Sequence, residues 1–274
     1  MHPQVSIIVP TFNSENNLRR FLESFEDSTF KQYEIIVNDD HRTTDNTAIV
    51  INQASENGIP VRLIKENAMM AQARKAGAKH ANGEFLFHLD SDMEITPNLL
   101  LECVELMKTN DALVIPEESF GTTFWAKCKW LEKKMYEGVE QLESIRFIKT
   151  DIYNKLGGHN VNMVFSEDKD LDLRVREAGY KLGRATSYLK HNEGNLSLIE
   201  TLRKKLVYAK TANIFAERHP NHFSWQKNIF NRYLLYIKNI KYFFSHPILY
   251  TGLIIMKTCE FIFAGIALFL NKKK

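Results

Sequence analysis

FLFHLDSD, residues 85–92, runs an apolar strand directly into two carboxylates one residue apart. Acids are ordinary where a strand meets solvent, so the pair takes its meaning from what surrounds it. Upstream, Val5-Ser6-Ile7-Ile8-Val9 is short, β-branched and stopped by Pro10, the pattern of a buried strand. Behind it, Leu18, Phe21, Leu22 and Phe25 recur with helical spacing after a cap at Asn13 or Ser14. Residues 34–37 read as a second strand and 45–57 as a second helix that stops at Gly58; 61–64 is a third strand, 69–81 a third helix and 84–89 a fourth strand. Four strand–helix alternations with short connections predict an α/β, Rossmann-like, mostly parallel sheet covered by helices on both faces.

Parallel strands send their carboxyl ends to one rim, where such sheets bind ligands. Three polar clusters fall at strand ends: Pro10-Thr11-Phe12-Asn13, Asn38-Asp39-Asp40 and Asp90-Ser91-Asp92. An i, i+2 carboxylate pair suits a hard divalent cation such as Mg²⁺ or Mn²⁺, which keeps positions open for phosphates. Gathered acids repel one another unless a cation or donors offset them. Neither G-x-G-x-x-G nor G-x-x-x-x-G-K-[ST] follows the first strand, so a nucleotide's phosphates would be held by metal and side chains.

Beyond Pro97, helices are expected at 99–107, 124–136, 197–218 and 225–244, with a strand at 112–116. Gly157-Gly158 reads as a turn, and Ser166-Glu167-Asp168 as the start of a helix with Leu171, Val175 and Ala178 on one face. Asp172 and Arg176 stand i, i+4, the spacing of a surface pair.

Several of these segments together resemble the inverting glycosyltransferases of family 2: VSIIVPTFN (5–13), YEIIVNDD (33–40), ARKAG (73–77), ANGEFLFHLDSD (81–92) and SEDKDLDLRVREAGYKLG (166–183), in that order. HNEGNLSL (191–198) resembles a motif of many bacterial and archaeal members. The resemblance implies the GT-A fold over roughly residues 4–200. It implies that Pro10, Thr11 and Asn13 line the nucleotide, that Asp40 accepts hydrogen bonds from the base with Asp39 in support, and that Arg74 lies near the base or phosphates. Asp90, Ser91 and Asp92 would meet ribose and the metal-bridged diphosphate, and Asp168 would be the catalytic base. Glu167 and His159 would lie on the acceptor side, and His191 resembles a histidine that completes metal coordination in some members. The sequence departs from the family pattern at Asp40-His41-Arg42, where Asp-Gly-Ser is usual, and at Lys75, where Asn is common. It lacks Q-x-x-R-W, against a processive polysaccharide synthase.

These features imply a metal-dependent inverting transfer from a nucleotide sugar, UDP-linked by preference, to a hydroxyl or phosphate, with Mn²⁺ or Mg²⁺ as cofactor. A polyprenyl-phosphate sugar synthase is the near alternative. A sugar-phosphate nucleotidyltransferase, which needs a glycine-rich basic loop after the first strand, and a non-catalytic binding protein are more distant.

The 274 residues allow one large domain with an appendage: a catalytic domain at 1–220, comprising a nucleotide-binding half (1–97) and an acceptor half (98–220), then a helical tail at 221–274. A net charge of +3 excludes a general nucleic-acid binder. Cys103, Cys128 and Cys259 form neither a disulfide framework nor a zinc pattern, and the N-terminus runs into a strand without a signal peptide. A cytosolic catalytic domain is expected.

No Asp or Glu occurs between Arg218 and Cys259, whereas Lys227, Arg232, Lys238, Lys241 and Lys257 do. On a single helix at 225–244, Ile229, Tyr233, Ile237, Ile240 and Phe244 would face away from the lysines, the pattern of a membrane-interface element. Residues 248–270 would extend roughly 34 Å as a helix, enough to cross a bilayer. Lys257 and Glu260 in its middle, and the export of Lys272-Lys273-Lys274, oppose a simple span, leaving a single crossing, a re-entrant helix or burial in an oligomer. The expectation is association with the cytoplasmic face of the cell membrane through 225–270, and a lipid-linked or glycan acceptor.

Overall fold

The computed structural model describes residues 2–66, 69–164, 166–208 and 212–271. In chain order the first elements are β1 (Val5–Thr11), α1 (Glu15–Glu23), β2 (Tyr33–Asp39), α2 (Thr47–Glu56), β3 (Val61–Ile64), α3 (Met70–Lys79), β4 (Phe85–His88), β5 (Met93–Glu94), α4 (Leu99–Leu106), β6 (Ala112–Val114) and β7 (Glu117–Phe120). There follow α5 (Phe124–Tyr136), β8 (Ile145–Lys149), α6 (Thr150–Lys155), α7 (Glu167–Glu177), β9 (Leu182–Arg184), β10 (Leu189–Asn192), α8 (Leu198–Tyr208) and α9 (Ala212–Arg218). The last four are α10 (Pro220–Lys227), α11 (Ile229–Lys238), α12 (Lys241–Ser245) and α13 (Pro247–Asn271). Two compact units result: Met1–Pro116 with Ser144–Lys190, and Glu117–Glu143 with His191–Lys274.

The first unit holds a seven-stranded sheet in the order β3-β2-β1-β4-β8-β6-β9. β1 runs parallel to β2 and β4, and β2 to β3, as the alternation predicts. β8 is antiparallel to both β4 and β6. Every residue of β1 is buried, because helices cover both faces of the sheet. Period-two alternation sorts its side chains: Ile7 and Val9 join Phe21 of α1, Val50 of α2 and Leu100 of α4 in one core. On the opposite face Leu86 and Ile148 pack with Tyr153 of α6 and with Leu171 and Val175 of α7. The expected third face position of α7, Ala178, is instead an exposed C-cap residue.

Register fixes the rim. Thr11 is opposite Asp39 and Ile8 opposite His88, so Asp39-Asp40 and the chain leaving β4 toward Asp90 start from the same rim on either side of β1. Ser166 does not cap α7 with its side chain; it sits at φ 57°, and Asn13 at 47°, the two non-glycine residues with positive φ among the described residues. Such backbone is costly away from glycine and concentrates at functional loops. Both residues lie on segments leading into the candidate site.

In the second unit α5, α11 and α13 share a core around Cys128, Leu131, Tyr236, Leu253 and Met256. A Cβ on Gly252 of α13 would fall into the Phe124 ring of α5, so the two helices meet at glycine distance. The segment 225–244 is not one helix. Asn228 ends α10, and its Oδ1 accepts from Phe230 N at 2.9 Å to begin α11, an N-cap that the apolar periodicity concealed. Tyr233 consequently faces inward, its hydroxyl bonded to that of Thr258, while Phe230, Leu234 and Ile237 form the exposed stripe.

Lys257 and Glu260 point into the unit. Glu132 of α5 is fully buried and pairs with Lys129 at 2.6 Å and with Lys257; Lys257 meets Glu260 at 2.8 Å, and Lys205 of α8 meets Glu260 at 2.9 Å. The positions Lys272-Lys273-Lys274 lie outside the described residues.

Candidate active site

At the end of β1 and β2, Thr11 Oγ1 donates to Asp39 Oδ1 at 2.8 Å and Thr43 Oγ1 to the same oxygen at 2.7 Å. Lys65 Nζ lies 3.9 Å from Oδ2. Asp39, fully buried, therefore braces the loop from behind. Pro10 sits opposite Asn38 in the ladder. Asn13 Oδ1 accepts from Thr44 N at 2.8 Å, tying the loop after β1 to the loop after β2, and Ser91 Oγ lies 3.2 Å from Ser14 Oγ.

Asp40 is gripped by Arg42. The Arg42 backbone N and Nε donate to Oδ1 at 2.9 and 3.0 Å, and Nη2 to Oδ2 at 2.6 Å. These bonds hold the carboxyl down at about 2. The same guanidinium lies 5.5 Å over the exposed Phe12 ring.

The centre of the site is Arg74, on α3 and only 1% exposed. Its Nη2 donates to Asp90 Oδ1 at 2.6 Å, and its Nε stands 3.7 Å from Asp168 Oδ1. Arg146 of β8 approaches Asp90 Oδ2 at 3.7 Å. His159 Nε2 reaches Asp168 Oδ1 at 3.1 Å from behind, and its Nδ1 is 3.0 Å from the Tyr153 hydroxyl. His88 lies edge-on to the His159 ring, centroids 4.6 Å apart. The sheet and two helices thus gather Asp90, Asp168 and two arginines, although their segments are dispersed along the chain.

Electrostatics divide the neighbouring acids. Burial opposes ionisation of Asp168, but Arg74, then the His159 hydrogen bond and Arg146, carry its carboxyl far below the usual carboxylate range. Glu167 is pushed up to about 8 by burial and by the charge of Asp168, with Arg74 offsetting part of the rise. Near neutral pH the pair therefore carries one negative charge, on Asp168. Burial drives His159 below its ordinary value against the pull of Asp168, and drives His88 well below, so both rings are neutral.

His191 falls in the second unit, with Nδ1 3.4 Å from Glu117 Oε2; Lys133 donates to that same oxygen at 2.6 Å. Among the described residues, no three His, Cys, Asp or Glu side chains gather as a metal site. Asp90 and Asp92, both partly exposed, offer hard oxygens one residue apart. That set fits a cation that keeps several waters and shares its coordination with substrate phosphates, not a cage built by protein alone.

Asp172, expected at the surface, is fully buried: Lys169 Nζ (2.6 Å), Arg176 Nε (3.0 Å) and Ile145 N (3.3 Å) all donate to it, so it fastens α7 to β8. Gly157-Gly158 is more than a turn. A Cβ on Gly158, at φ 68°, would stand 2.8 Å from the Tyr153 ring, and Arg174 of α7 donates to the carbonyls of Leu156 and Gly158 at 2.8 and 2.7 Å. Sequence reasoning missed Arg146, Tyr153 and His88. The alternation of β4 does place His88 on the Leu86 face, so that signal was present; the other two carried none.

Residues 6–164 match the family described as Glycosyl transferase family 2, and the chain belongs to that family. Its fold is the GT-A fold of the family's solved structures. A Campylobacter jejuni protein named GalNAc(5)-diNAcBac-PP-undecaprenol beta-1,3-glucosyltransferase is 32% identical over 100 residues, 36% of this chain and 32% of that protein. The match thus spans about a third of the relative's length. The mannosyltransferase PcManGT of Pyrobaculum calidifontis, solved with GDP-Man and Mn²⁺, superposes with a TM-score of 0.71 at 14% identity, covering 99% of this chain and 88% of that one. Staphylococcus aureus TarS with UDP-GlcNAc superposes at 0.60 and 15% identity, covering 98% and 92%.

Proposed function

We propose that this chain is a metal-dependent inverting glycosyltransferase that moves a sugar from a nucleotide sugar, preferably UDP-linked, to a hydroxyl or phosphate of a lipid-linked acceptor. The observation that carries this reading is the Arg74 guanidinium between Asp90 and Asp168: one buried cation joins the acid suited to the donor's diphosphate and the acid suited to activating the acceptor. Nη1 of Arg74 is buried with no hydrogen bond among the described residues, a donor available to a phosphate oxygen. Membership of the family supports transfer, the nucleotide sugars held by the two solved neighbours support the donor class, and the undecaprenol-linked substrate in the Campylobacter protein's name supports the acceptor class.

In this reading Pro10, Thr11, Asn13 and Asp40 face the nucleoside, with Asp39 bracing Asp40. Arg74 and Arg146 flank the diphosphate. Asp90 and Asp92 would hold Mn²⁺ or Mg²⁺, which offsets the charge that develops on a departing diphosphate. Asp168, already ionised, accepts the acceptor's proton, and a single displacement inverts the anomeric centre.

The tail serves as the membrane element. α13 is long and apolar enough to cross a bilayer. Its Lys257 and Glu260, however, are bonded to charged side chains of α5 and α8, so a span would drag those helices into hydrocarbon. Ile248, Ile255, Ile262 and Phe269, seven residues apart, form an exposed stripe on its other side. With the exposed stripe of α11 and the exposed Lys227, Lys238 and Lys241, that favours a helix lying in the interface of an anionic membrane.

The test is incubation with Mn²⁺ and UDP-, GDP- and dTDP-sugars. Release of nucleoside diphosphate supports transfer, whereas pyrophosphate with a sugar phosphate would point to nucleotidyl transfer. Asp92→Asn should weaken metal-dependent nucleotide binding, and Asp168→Asn should spare binding and abolish transfer. Equal loss of binding in both variants would overturn the two roles.

A further inference from the structure

Asp168 is backed by an ordered pair of side chains whose hydrogens can be assigned from connectivity. The Tyr153 hydroxyl oxygen accepts from the His159 backbone N–H at 3.3 Å, which leaves its proton for His159 Nδ1, 3.0 Å away; the ionised Asp168 carboxylate can only accept, which calls for the ring proton on Nε2. With Nδ1 accepting, the neutral ring carries its proton on Nε2 and donates it to Asp168 Oδ1 at 3.1 Å. Arg74 Nε approaches the same oxygen. Oδ1 is thereby engaged, and Oδ2 is the oxygen left to meet an acceptor hydroxyl.

We propose that Tyr153 and His159 are positioning residues for Asp168, fixing one imidazole tautomer so that the carboxylate presents Oδ2 to the acceptor. Both are buried (1% exposed each), so neither contacts the acceptor itself. The surroundings hold the pair rigidly. Gly158 admits the Tyr153 ring, Arg174 clamps the Gly158 carbonyl, and His88 walls the far side of the imidazole. The proton taken by Asp168 does not travel onward through His159, because Nε2 is already protonated and Nδ1 is occupied. His159 orients the base and does not relay.

This inference rests on Asp168 as the base, and two measurements on the full chain separate the claims. The first needs no turnover. In a ¹⁵N-histidine NMR spectrum at neutral pH, the His159 ring should show the Nε2–H tautomer, and Tyr153→Phe should convert it to a mixture. An Nδ1–H ring in the unaltered protein would overturn the proposal. The second follows nucleoside diphosphate release from UDP-glucose, UDP-GlcNAc and GDP-mannose with Mn²⁺. His159→Phe keeps ring volume without the donor and should lower kcat about 10–100-fold with donor KM little changed, the scale of a displaced catalytic group. His159→Gln, which restores an N–H near Nε2, should recover most of the loss. If Phe and Gln variants turn over alike, positioning fails; if Asp168→Asn retains full turnover, the base reading fails instead.

Discussion

Arg42 closes on Asp40 with the Nε and Nη2 edge of its guanidinium, one nitrogen to each oxygen, while lying over the Phe12 ring. In the proposed reading that acid accepts hydrogen bonds from the nucleotide base. Here its lone pairs are already engaged by a residue from the very loop that departs from the family sequence. A base that needs Asp40 must displace an exposed arginine or share the carboxylate with it.

Removing Arg42 should therefore help the nucleotide. Arg42→Ala is expected to tighten UDP binding several-fold by calorimetry, because the competing intramolecular partner is gone. Asp40→Asn should weaken it. Weaker binding in Arg42→Ala would mean that Arg42 touches the nucleotide itself.

Glu167 sets an alkaline limit. Below about 8 it is neutral, and as pH rises through that value a second negative charge appears beside Asp168, close enough to be felt by the Arg74 guanidinium and by Asp90. Donor KM should rise across that range in the unaltered protein and stay flat in Glu167→Gln. The same group lowers stability. Between its ordinary value of 4.5 and about 8, the folded chain holds a proton that the unfolded chain has released, so stability falls as pH rises through the window. Thermal melts of Glu167→Gln should lack that decline.

Gly83 reports on the sheet beneath the site. A Cβ there would stand 2.6 Å from the backbone N of Ser6, whose hydroxyl accepts from Gly83 N at 2.8 Å. Gly83→Ala should cost about 1–3 kcal/mol in denaturant unfolding, since backbone must move to make room.

The charged cluster of the second unit should respond asymmetrically. Lys257→Met leaves Glu132 with Lys129 alone and Glu260 with Lys205 alone, and is expected to cost about 2–4 kcal/mol, short of a fully unpaired buried charge. Lys257→Met with Glu260→Met removes a pair together, leaving Lys205 near solvent, and should be the milder change by thermal unfolding.

Strand–helix alternation made the first half of the sheet legible, and with it the departure of the Asp40 and Asp90 segments from the same rim. α5 and α13 were equally plain from their apolar spacing. What escaped depended on tertiary context. Asn228 broke a helix that periodicity had joined, and Asp172, whose i, i+4 pairing with Arg176 looked like surface chemistry in one dimension, is buried with Lys169 and the backbone of Ile145 as further partners. Tyr153 could not be placed because its role depends on a glycine five residues away making room for its ring.

β8 enters the sheet against the direction of β1 and β4. Strands of one direction deliver only their ends to the rim, and in this chain the ends of β2 and β4 lead into acids. The reversed strand delivers its beginning there, and that beginning is Arg146. Chain direction thus acts as a source of counter-charge: a slip of β8 by one residue would exchange the faces of its side chains, withdraw a cation from Asp90 and leave the strand's burial pattern inverted.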